Sequence, residues 1–206
     1  MSTKIQNIFC HHIGGLEGKP NYHTQNFTAE QVEQGHKERW NFISSLGRYG
    51  GYNFFIEVSG KLTQFRAIGE ETAAQVKYNL NSVSICLAGN FTPGVELPTP
   101  EQVKTLQGLL VALQERNLTG LQVVPGTEID IPLQNILPHR VVAMTDCNGL
   151  SLPDTWARNL LIPYIQLKIT LLQRLILLYT DLIARLRAKP VGSLKAEPCW
   201  LEDNRG

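Results

Sequence analysis

The sequence predicts an α/β fold, with a mixed central β-sheet flanked by helices and a C-terminal amphipathic helical appendage. Short, mostly apolar runs at residues 5–12 and 82–88 are typical of strands buried in a sheet. Thr28 and Thr99 each open a threonine-x-x-glutamine capping box, which marks the start of a helix. From residue 154 to residue 189, apolar side chains recur at spacings of four and three residues, which predicts a long helix.

The first predicted strand ends on two adjacent histidines, His11 and His12. Neighbouring side chains of a strand point to opposite faces, so only one of these rings can face a given site. Residues 14–27 follow as a turn-rich loop. Tyr22 and His23 in it could contact a substrate, but we expect them to be exposed loop residues.

The middle of the chain alternates between helical and extended segments. His36 lies near the apolar side of the first helix and is predicted to be buried and hydrogen-bonded. Residues 52–58 and 61–66 are predicted to pair as a hairpin, and Cys86 is predicted to be a small core residue of the second apolar run. After the second helix, residues 131–137 form a short extended segment that leads to the next histidine.

The C-terminal helix carries two apolar seams. The first repeats with spacings of 4-3-4-3-4-3 and consists of Ile165, Ile169, Leu172, Ile176, Tyr179, Ile183 and Leu186. The second lies beside it and consists of Leu171, Leu175, Leu178 and Leu182. The charged residues Lys168, Arg174, Asp181 and Arg185 argue against a membrane span. We expect this face to pack on the domain or to form a homo-oligomer with a copy of itself, and a membrane-active amphipathic helix is the alternative.

Composition limits the class of protein. The chain has 206 residues, enough for one domain plus an appendage, and 19 basic against 18 acidic side chains give a net charge of +1. Nucleic-acid binders usually show a strong basic excess, so we expect no nucleic-acid partner. No basic N-terminal region precedes an apolar core, and no run of 18 uncharged apolar residues occurs, so neither a signal peptide nor an ordinary membrane span is predicted.

Histidine and cysteine residues suggest a metal site. His139 and Cys147 are eight residues apart, and both residue types are zinc ligands. A third ligand can come from the Cys10-His11-His12 segment at the end of the first strand. Two histidines and one cysteine would fill three corners of a tetrahedron and leave the fourth open, which is the pattern of a catalytic zinc site. If Cys147 binds zinc, three cysteines remain, and this odd number gives no sign of a disulfide framework.

Four sequence blocks, in one order, carry a family resemblance. They are Ile8-Phe-Cys-His11-His12-Ile13, Gly51-Tyr52-Asn53-Phe54, Asn81-Ser82 leading into Ile85-Cys-Leu-Ala-Gly89, and His139 to Thr145-x-Cys147. Together they resemble the zinc-dependent N-acetylmuramoyl-L-alanine amidases, the family of phage amidase lysozymes and peptidoglycan-recognition proteins. The resemblance covers roughly residues 5–158 and does not extend further.

The resemblance implies a Zn²⁺ cofactor and a role for five residues. It assigns His11, His139 and Cys147 as the metal ligands, because the family has its ligand at the first position of the histidine pair. Tyr52 and Thr145 match the positions that orient water and stabilise the oxyanion, and His12 is expected to be a supporting or packing residue.

No general base is assigned, and the sequence departs from the family in two places. Glu57 is the nearest carboxylate to Tyr52, but on a regular strand it would point to the opposite face. Asn148-Gly149 replaces the Pro-Gly that commonly follows the cysteine, and we expect this turn to preserve the ligand loop. Ala73-Ala74 stands where phage relatives often have a histidine, which weakens the transfer of their substrate contacts.

The predicted function is hydrolysis of the amide between N-acetylmuramic acid and L-alanine in peptidoglycan. Residues 1–158 would be the catalytic domain, 159–189 the amphipathic helix and 190–206 a loosely ordered tail. A phage or prophage endolysin, made in the cytoplasm and acting on the cell wall, is the expected setting, and a secreted antibacterial toxin or a wall-recycling enzyme would use the same chemistry. The alternative is a non-catalytic peptidoglycan receptor, but such proteins typically lose a zinc ligand, often the cysteine.

Overall fold

The computed structural model describes residues 3–147 and 149–188. Its strands are β1 (Lys4–Ile5), β2 (Asn7–His12), β3 (Phe54–Ile56), β4 (Leu62–Gln64), β5 (Ser82–Leu87), β6 (Glu128–Ile129) and β7 (Ile136–Pro138). Its α-helices are α1 (Ala29–Trp40), α2 (Pro100–Glu115), α3 (Trp156–Asn159) and α4 (Ile162–Ala188), and two short 3-10 turns cover Leu133–Asn135 and His139–Val141.

The main sheet has five strands in the order β4-β3-β5-β2-β7. Strands β3, β5, β2 and β7 run parallel to one another, whereas β4 is antiparallel to β3, so the sheet is mixed as predicted. A separate two-stranded parallel sheet pairs β1 with β6. Because β2 and β7 are adjacent and parallel, their carboxyl ends lie at the same edge of the sheet.

Both predicted capping boxes are present. Thr28 caps α1 and Thr99 caps α2, and in each case the side chain of the glutamine three residues later accepts from the backbone N–H of the cap. Pro100 occupies the first turn of α2, where its missing N–H costs nothing. The helix starts therefore lie where local side-chain chemistry predicts them.

The core is divided between the two faces of the sheet. On one face, Ile8, Cys10 and Ile85 pack with the apolar stripe of α2, which includes Leu106 and Leu110. On the other face, Phe55 and Cys86 pack against α1 through Ala29 and Val32. Cys86 is fully buried there, as predicted.

The long C-terminal helix is present, and the chain divides into two compact units between Tyr164 and Ile165. Pro163 lies in the first turn of α4, where a proline is tolerated. A helix over Trp156–Arg187 is long and apolar enough to cross a membrane, by length and composition, although it contains the charges that argued against a span. Its most apolar window is only 6% buried. The predicted tail, residues 190–206, lies outside the described residues.

Candidate metal centre

Two of the candidate ligands come from adjacent parallel strands. His11 is the fifth residue of β2, pairs in register with Cys86 of β5, and is almost fully buried. His139 follows β7 directly and begins a 3-10 turn. The strand order therefore brings together two histidines that are 128 positions apart in sequence.

The third candidate ligand, Cys147, is held beside His139 by Arg140. The backbone N–H of Arg140 donates to the carbonyl of Cys147 at 2.8 Å. Its guanidinium donates to the carbonyls of Gly149 and Leu152, at 2.7 and 2.6 Å, and pairs with Asp154. Arg140 thus ties the loop that carries Cys147 to the turn that carries His139.

His11, His139 and Cys147 have the spacing of a metal site. One ligand atom from each lies within 4.8 Å of the others. Cys147 Sγ is 3.5 Å from His11 Nδ1. Two tetrahedral bonds of ordinary Zn–S and Zn–N length would hold such atoms about 3.6 Å apart. The donor set and its spacing therefore fit zinc.

The other ring nitrogen of His11 is fixed by a buried hydrogen-bond network. His11 Nε2 lies 3.0 Å from Gln75 Oε1 and 3.0 Å from Ser84 Oγ, and Ser84 Oγ itself donates to Gln75 Oε1 at 3.0 Å. On the far side, the Gln75 amide nitrogen donates to Ser82 Oγ, which in turn donates to the carbonyl of Tyr78 at 2.7 Å.

This network determines the tautomer of His11. Ser82 gives its only proton to Tyr78, so it must accept from Gln75, and this fixes which end of the Gln75 amide is nitrogen. The oxygen end then faces His11 Nε2, and because an amide oxygen cannot donate, Nε2 carries the proton. The lone pair of His11 is consequently on Nδ1, the atom that faces Cys147.

Burial favours the neutral forms of all three candidate ligands in the metal-free site. It lowers the pKa of His11 to about 3, with a further contribution from His139, and it lowers the pKa of His139 as well. Burial raises the pKa of the Cys147 thiol to about 12. Both imidazoles are thus available as neutral ligands, and a cation is needed to stabilise the Cys147 thiolate.

His12 lies on the opposite face of β2 and outside this cluster, as strand alternation predicts. Its Nδ1 accepts a hydrogen bond from the Phe91 backbone N–H at 2.9 Å, and its ring packs against the Phe91 ring with centroids 5.5 Å apart. Burial lowers the pKa of His12 to about 4, which keeps this ring a neutral acceptor.

Tyr52 and Thr145 both line the groove that contains the cluster. The Tyr52 ring packs against the His11 ring at a centroid distance of 5.2 Å, and burial raises the pKa of its hydroxyl well above the ordinary value. Thr145 Oγ1 accepts a hydrogen bond from the Cys147 backbone N–H at 3.2 Å, so its own proton can be donated elsewhere. Both hydroxyls therefore keep their protons at neutral pH, and the Tyr52 hydroxyl also interacts with the buried Cys86 thiol, which contributes to its raised pKa.

The groove is open and has a volume of about 710 Å³. Its walls include Trp40, Ala73 and Thr92. Glu57 is not among its residues: that carboxylate accepts from the Ala29 N–H at 3.1 Å and pairs with Lys61 at 3.1 Å. Glu57 therefore lies away from the groove, with its carboxylate bonded to Ala29 and Lys61. Asn148 lies outside the described residues, so its turn is not tested.

Gln75 and Ser84 were not predicted from the sequence. A usable signal was present, because Ser82 and Ser84 are two polar residues on one face of a strand that is otherwise apolar. Buried hydroxyls need partners, so this pair indicates a polar neighbour on that face. No sequence pattern indicates that the neighbour is Gln75, which lies on a loop.

Together, this sheet and this cluster define an α/β protein in which two histidines and one cysteine that could hold a metal ion line an open groove. The sequence profile of the N-acetylmuramoyl-L-alanine amidase family matches residues 1–150, and the chain belongs to that family. Family membership supports peptidoglycan as the substrate or ligand. Among curated proteins, no sequence match is found.

Solved structures of similar fold include bacterial, phage and insect proteins. The endolysine N-acetylmuramoyl-L-alanine amidase LysCS from Clostridium intestinale URNW has a TM-score of 0.53 at 22% identity, covering 76% of this chain and 83% of that one. The Ph2119 endolysin from the Thermus scotoductus MAT2119 bacteriophage has a TM-score of 0.54 at 18% identity, with coverages of 78% and 86%. Bumblebee PGRP-SA has a TM-score of 0.51 at 16% identity, with coverages of 74% and 84%. At these identities the likeness supports the fold.

Proposed function

We propose that the chain is a zinc-dependent N-acetylmuramoyl-L-alanine amidase, with its catalytic domain in residues 1–158. The observation that carries this proposal is the convergence of His11, His139 and Cys147, whose ligand atoms lie within 4.8 Å of one another. The fixed tautomer of His11 adds to it, because the protonated nitrogen faces Gln75 and the free lone pair faces Cys147. A catalytic zinc site requires such an arrangement, and this favours an amidase over a protein that only binds peptidoglycan.

The proposed reaction is hydrolysis of the amide that joins the lactyl group of N-acetylmuramic acid to L-alanine. Zinc, when bound by His11, His139 and Cys147, supplies Lewis acidity, which polarises an amide carbonyl and lowers the pKa of water. Because the groove is open, an extended glycan or peptide can reach the cluster from solvent.

Tyr52 and Thr145 would supply the hydrogen bonds that the reaction needs. As the carbonyl carbon becomes tetrahedral, its oxygen gains negative charge, and fixed donors stabilise that charge. The buried Tyr52 hydroxyl keeps its proton because its pKa is raised. Thr145 uses its oxygen as an acceptor from the backbone of Cys147, which leaves its proton for the substrate or for the attacking water.

For the biological setting we propose a phage or prophage endolysin. Two of the proteins of similar fold are endolysins by name, from Clostridium intestinale URNW and from bacteriophage Ph2119. A holin gene beside the coding sequence would support this setting, whereas a neighbouring immunity gene would indicate a secreted toxin.

The test uses the adjacent histidines as a matched pair. His11→Ala should lose both zinc and amide hydrolysis, whereas His12→Ala should keep zinc, because His12 bonds to the Phe91 backbone and lies outside the cluster. Zinc per chain is measured by elemental analysis, and hydrolysis is measured as new L-alanine amino termini released from purified peptidoglycan.

Two outcomes would contradict the proposal. If His11→Ala protein without zinc hydrolysed peptidoglycan as fast as the wild type, the reaction would not require the metal. A wild-type chain that binds peptidoglycan and zinc but releases no amino termini would instead be a receptor on the same fold.

A further inference from the structure

Helix α4 presents a wide apolar surface to solvent. Twelve leucine, isoleucine and tyrosine side chains between Ile165 and Leu186 are each 36–68% exposed. At 3.6 residues per turn they occupy an arc of about 200° around the helix, from Leu167 at one border to Ile169 at the other. We call this the apolar arc. Leu177 is not part of it, because it lies in the middle of the opposite side.

The remaining surface of α4 is polar and basic. It carries Arg174, Arg185 and Arg187 against a single acidic residue, Asp181, and Lys168 inside the apolar arc brings the net charge of the helix to +3. That one carboxylate is already paired with Arg185 at 2.8 Å. Thr170 and Thr180 donate to backbone carbonyls four residues earlier in the helix, at 2.9 and 2.8 Å. The polar side therefore offers mainly positive charge to a partner.

A second copy of the chain is a poor match for the whole apolar arc. The seam from Ile165 to Leu186 has a heptad repeat, and a two-stranded coiled coil would bury it. The second seam, which includes Leu171 and Leu178, would then stay in water at outward-facing positions of the dimer. The positions that flank the first seam also lack the opposite charges that usually fix partner and register, since their charged residues, Lys168 and Arg187, are both basic and the others are uncharged.

A transmembrane orientation is a poor match for the charges. Arg174 is close to the midpoint of α4, and Asp181 lies two turns further along. Charged side chains at the centre of a bilayer are costly. In a helix that lies along the membrane surface, both residues stay among the lipid headgroups.

We propose that α4 binds in the plane of an anionic lipid membrane. The apolar arc would be buried at the boundary of the acyl chains, and the arginines would face negatively charged headgroups, which is the general arrangement of interfacial amphipathic helices. Lys168 lies at the middle of the apolar arc, so its ammonium would have to extend past the neighbouring apolar side chains to the headgroups at the end of its aliphatic stem. This inference concerns α4 and is independent of the amidase activity.

The test measures partition of the full chain onto vesicles by sedimentation. One set contains equal parts of phosphatidylglycerol and phosphatidylcholine, and the other contains phosphatidylcholine alone. With about 1 kcal/mol per basic residue near an anionic surface, binding to the anionic vesicles should be tighter on the order of 100-fold and should weaken as salt is raised.

Leu172→Gln and Leu177→Gln form a matched pair of variants. Leu172 is in the apolar arc and 59% exposed, whereas Leu177 is on the polar side and 69% exposed. Both changes are charge-neutral and remove the same apolar group. Leu172→Gln should weaken partition by about 10- to 100-fold, and Leu177→Gln should leave it nearly unchanged. Equal helix content by circular dichroism verifies that both variants fold.

Three results would overturn the inference. The first is equal binding to anionic and neutral vesicles, which would show that the basic side chains do not contribute to lipid binding. The second is equal weakening of partition in Leu172→Gln and Leu177→Gln, which would show that the apolar arc is not the surface that binds lipid. The third is no lipid binding together with a dimer in light scattering that Leu172→Gln dissociates, which would make a second copy the partner.

Discussion

Replacing Gln75 by leucine should weaken zinc binding although Gln75 is not a ligand. Gln75 is 1% exposed and provides the amide oxygen that accepts from His11 Nε2. In Gln75→Leu, Ser84 loses the acceptor of its own hydroxyl proton and can turn that proton towards His11 Nε2. This would stabilise the tautomer that is protonated on Nδ1, which is the nitrogen that must face the metal.

The size of the effect follows from the hydrogen bonds that the substitution removes. A buried donor or acceptor without a partner costs about 1–3 kcal/mol. Partners of metal-bound histidines typically contribute about 10- to 100-fold in metal affinity. At about 1.4 kcal/mol per factor of ten, this corresponds to about 1.4–2.8 kcal/mol, which lies within the cost of an unpaired buried group. Ser84→Ala should cost less than Gln75→Leu, because the Gln75 oxygen remains in place to accept from His11.

The assay is the zinc dissociation constant from competition with a chelator, with Gln102→Leu as the control. Gln102 is also fully buried, but its amide donates to the carbonyls of Ile56 and Ala88, at 3.2 and 2.8 Å, and it is not part of the His11 network. Both substitutions should lower the free energy of unfolding of the metal-free protein by similar amounts. Only Gln75→Leu should lower zinc affinity, and equal zinc affinities in the two variants would refute the role assigned to Gln75.

Two further predictions concern Tyr52 and His36. Tyr52→Phe should retain zinc and slow amide hydrolysis by about 100- to 1000-fold, because only the hydroxyl donor is removed; unchanged turnover would make Tyr52 a packing residue. Burial lowers the pKa of His36 from 6.5 to about 4, so between these values the unfolded chain binds a proton that the folded chain does not. The urea midpoint should therefore fall as the pH drops from about 6.5 to about 4, and His36→Gln, which cannot titrate, should show a smaller fall.

Local chemistry explains why much of the fold could be predicted from the sequence. The capping boxes at Thr28 and Thr99 and the mostly apolar run of β5 each specify an element within a few residues. Strand alternation also separates His11 from His12 without any tertiary information. The bond from the Gly51 N–H to His36 Nδ1, at 2.8 Å, agrees with the hydrogen-bonded interpretation of that histidine, although it is only half-buried.

The rest depended on contacts between distant segments. Gln75 meets His11 across 64 positions, and no local pattern marks a glutamine in a loop as the partner of a strand histidine. The resemblance to the amidase family supplied the candidate ligands and donors, but not the residues that orient them. The extent of regular β-structure was also overestimated, since β3 is limited to Phe54–Ile56 and Tyr52 precedes it.

The arrangement of the three candidate ligands combines a rigid part with an adjustable part. β2 is hydrogen-bonded on both sides, to β5 and to β7, so the strand that carries His11 is fixed from two directions. Cys147 lies on a loop, and its position depends on the contacts of Arg140 with the Cys147 and Gly149 carbonyls. Because β7 pairs with β2 as far as Pro138, His139 belongs to the fixed part, and the Arg140 contacts hold the Cys147 loop against it.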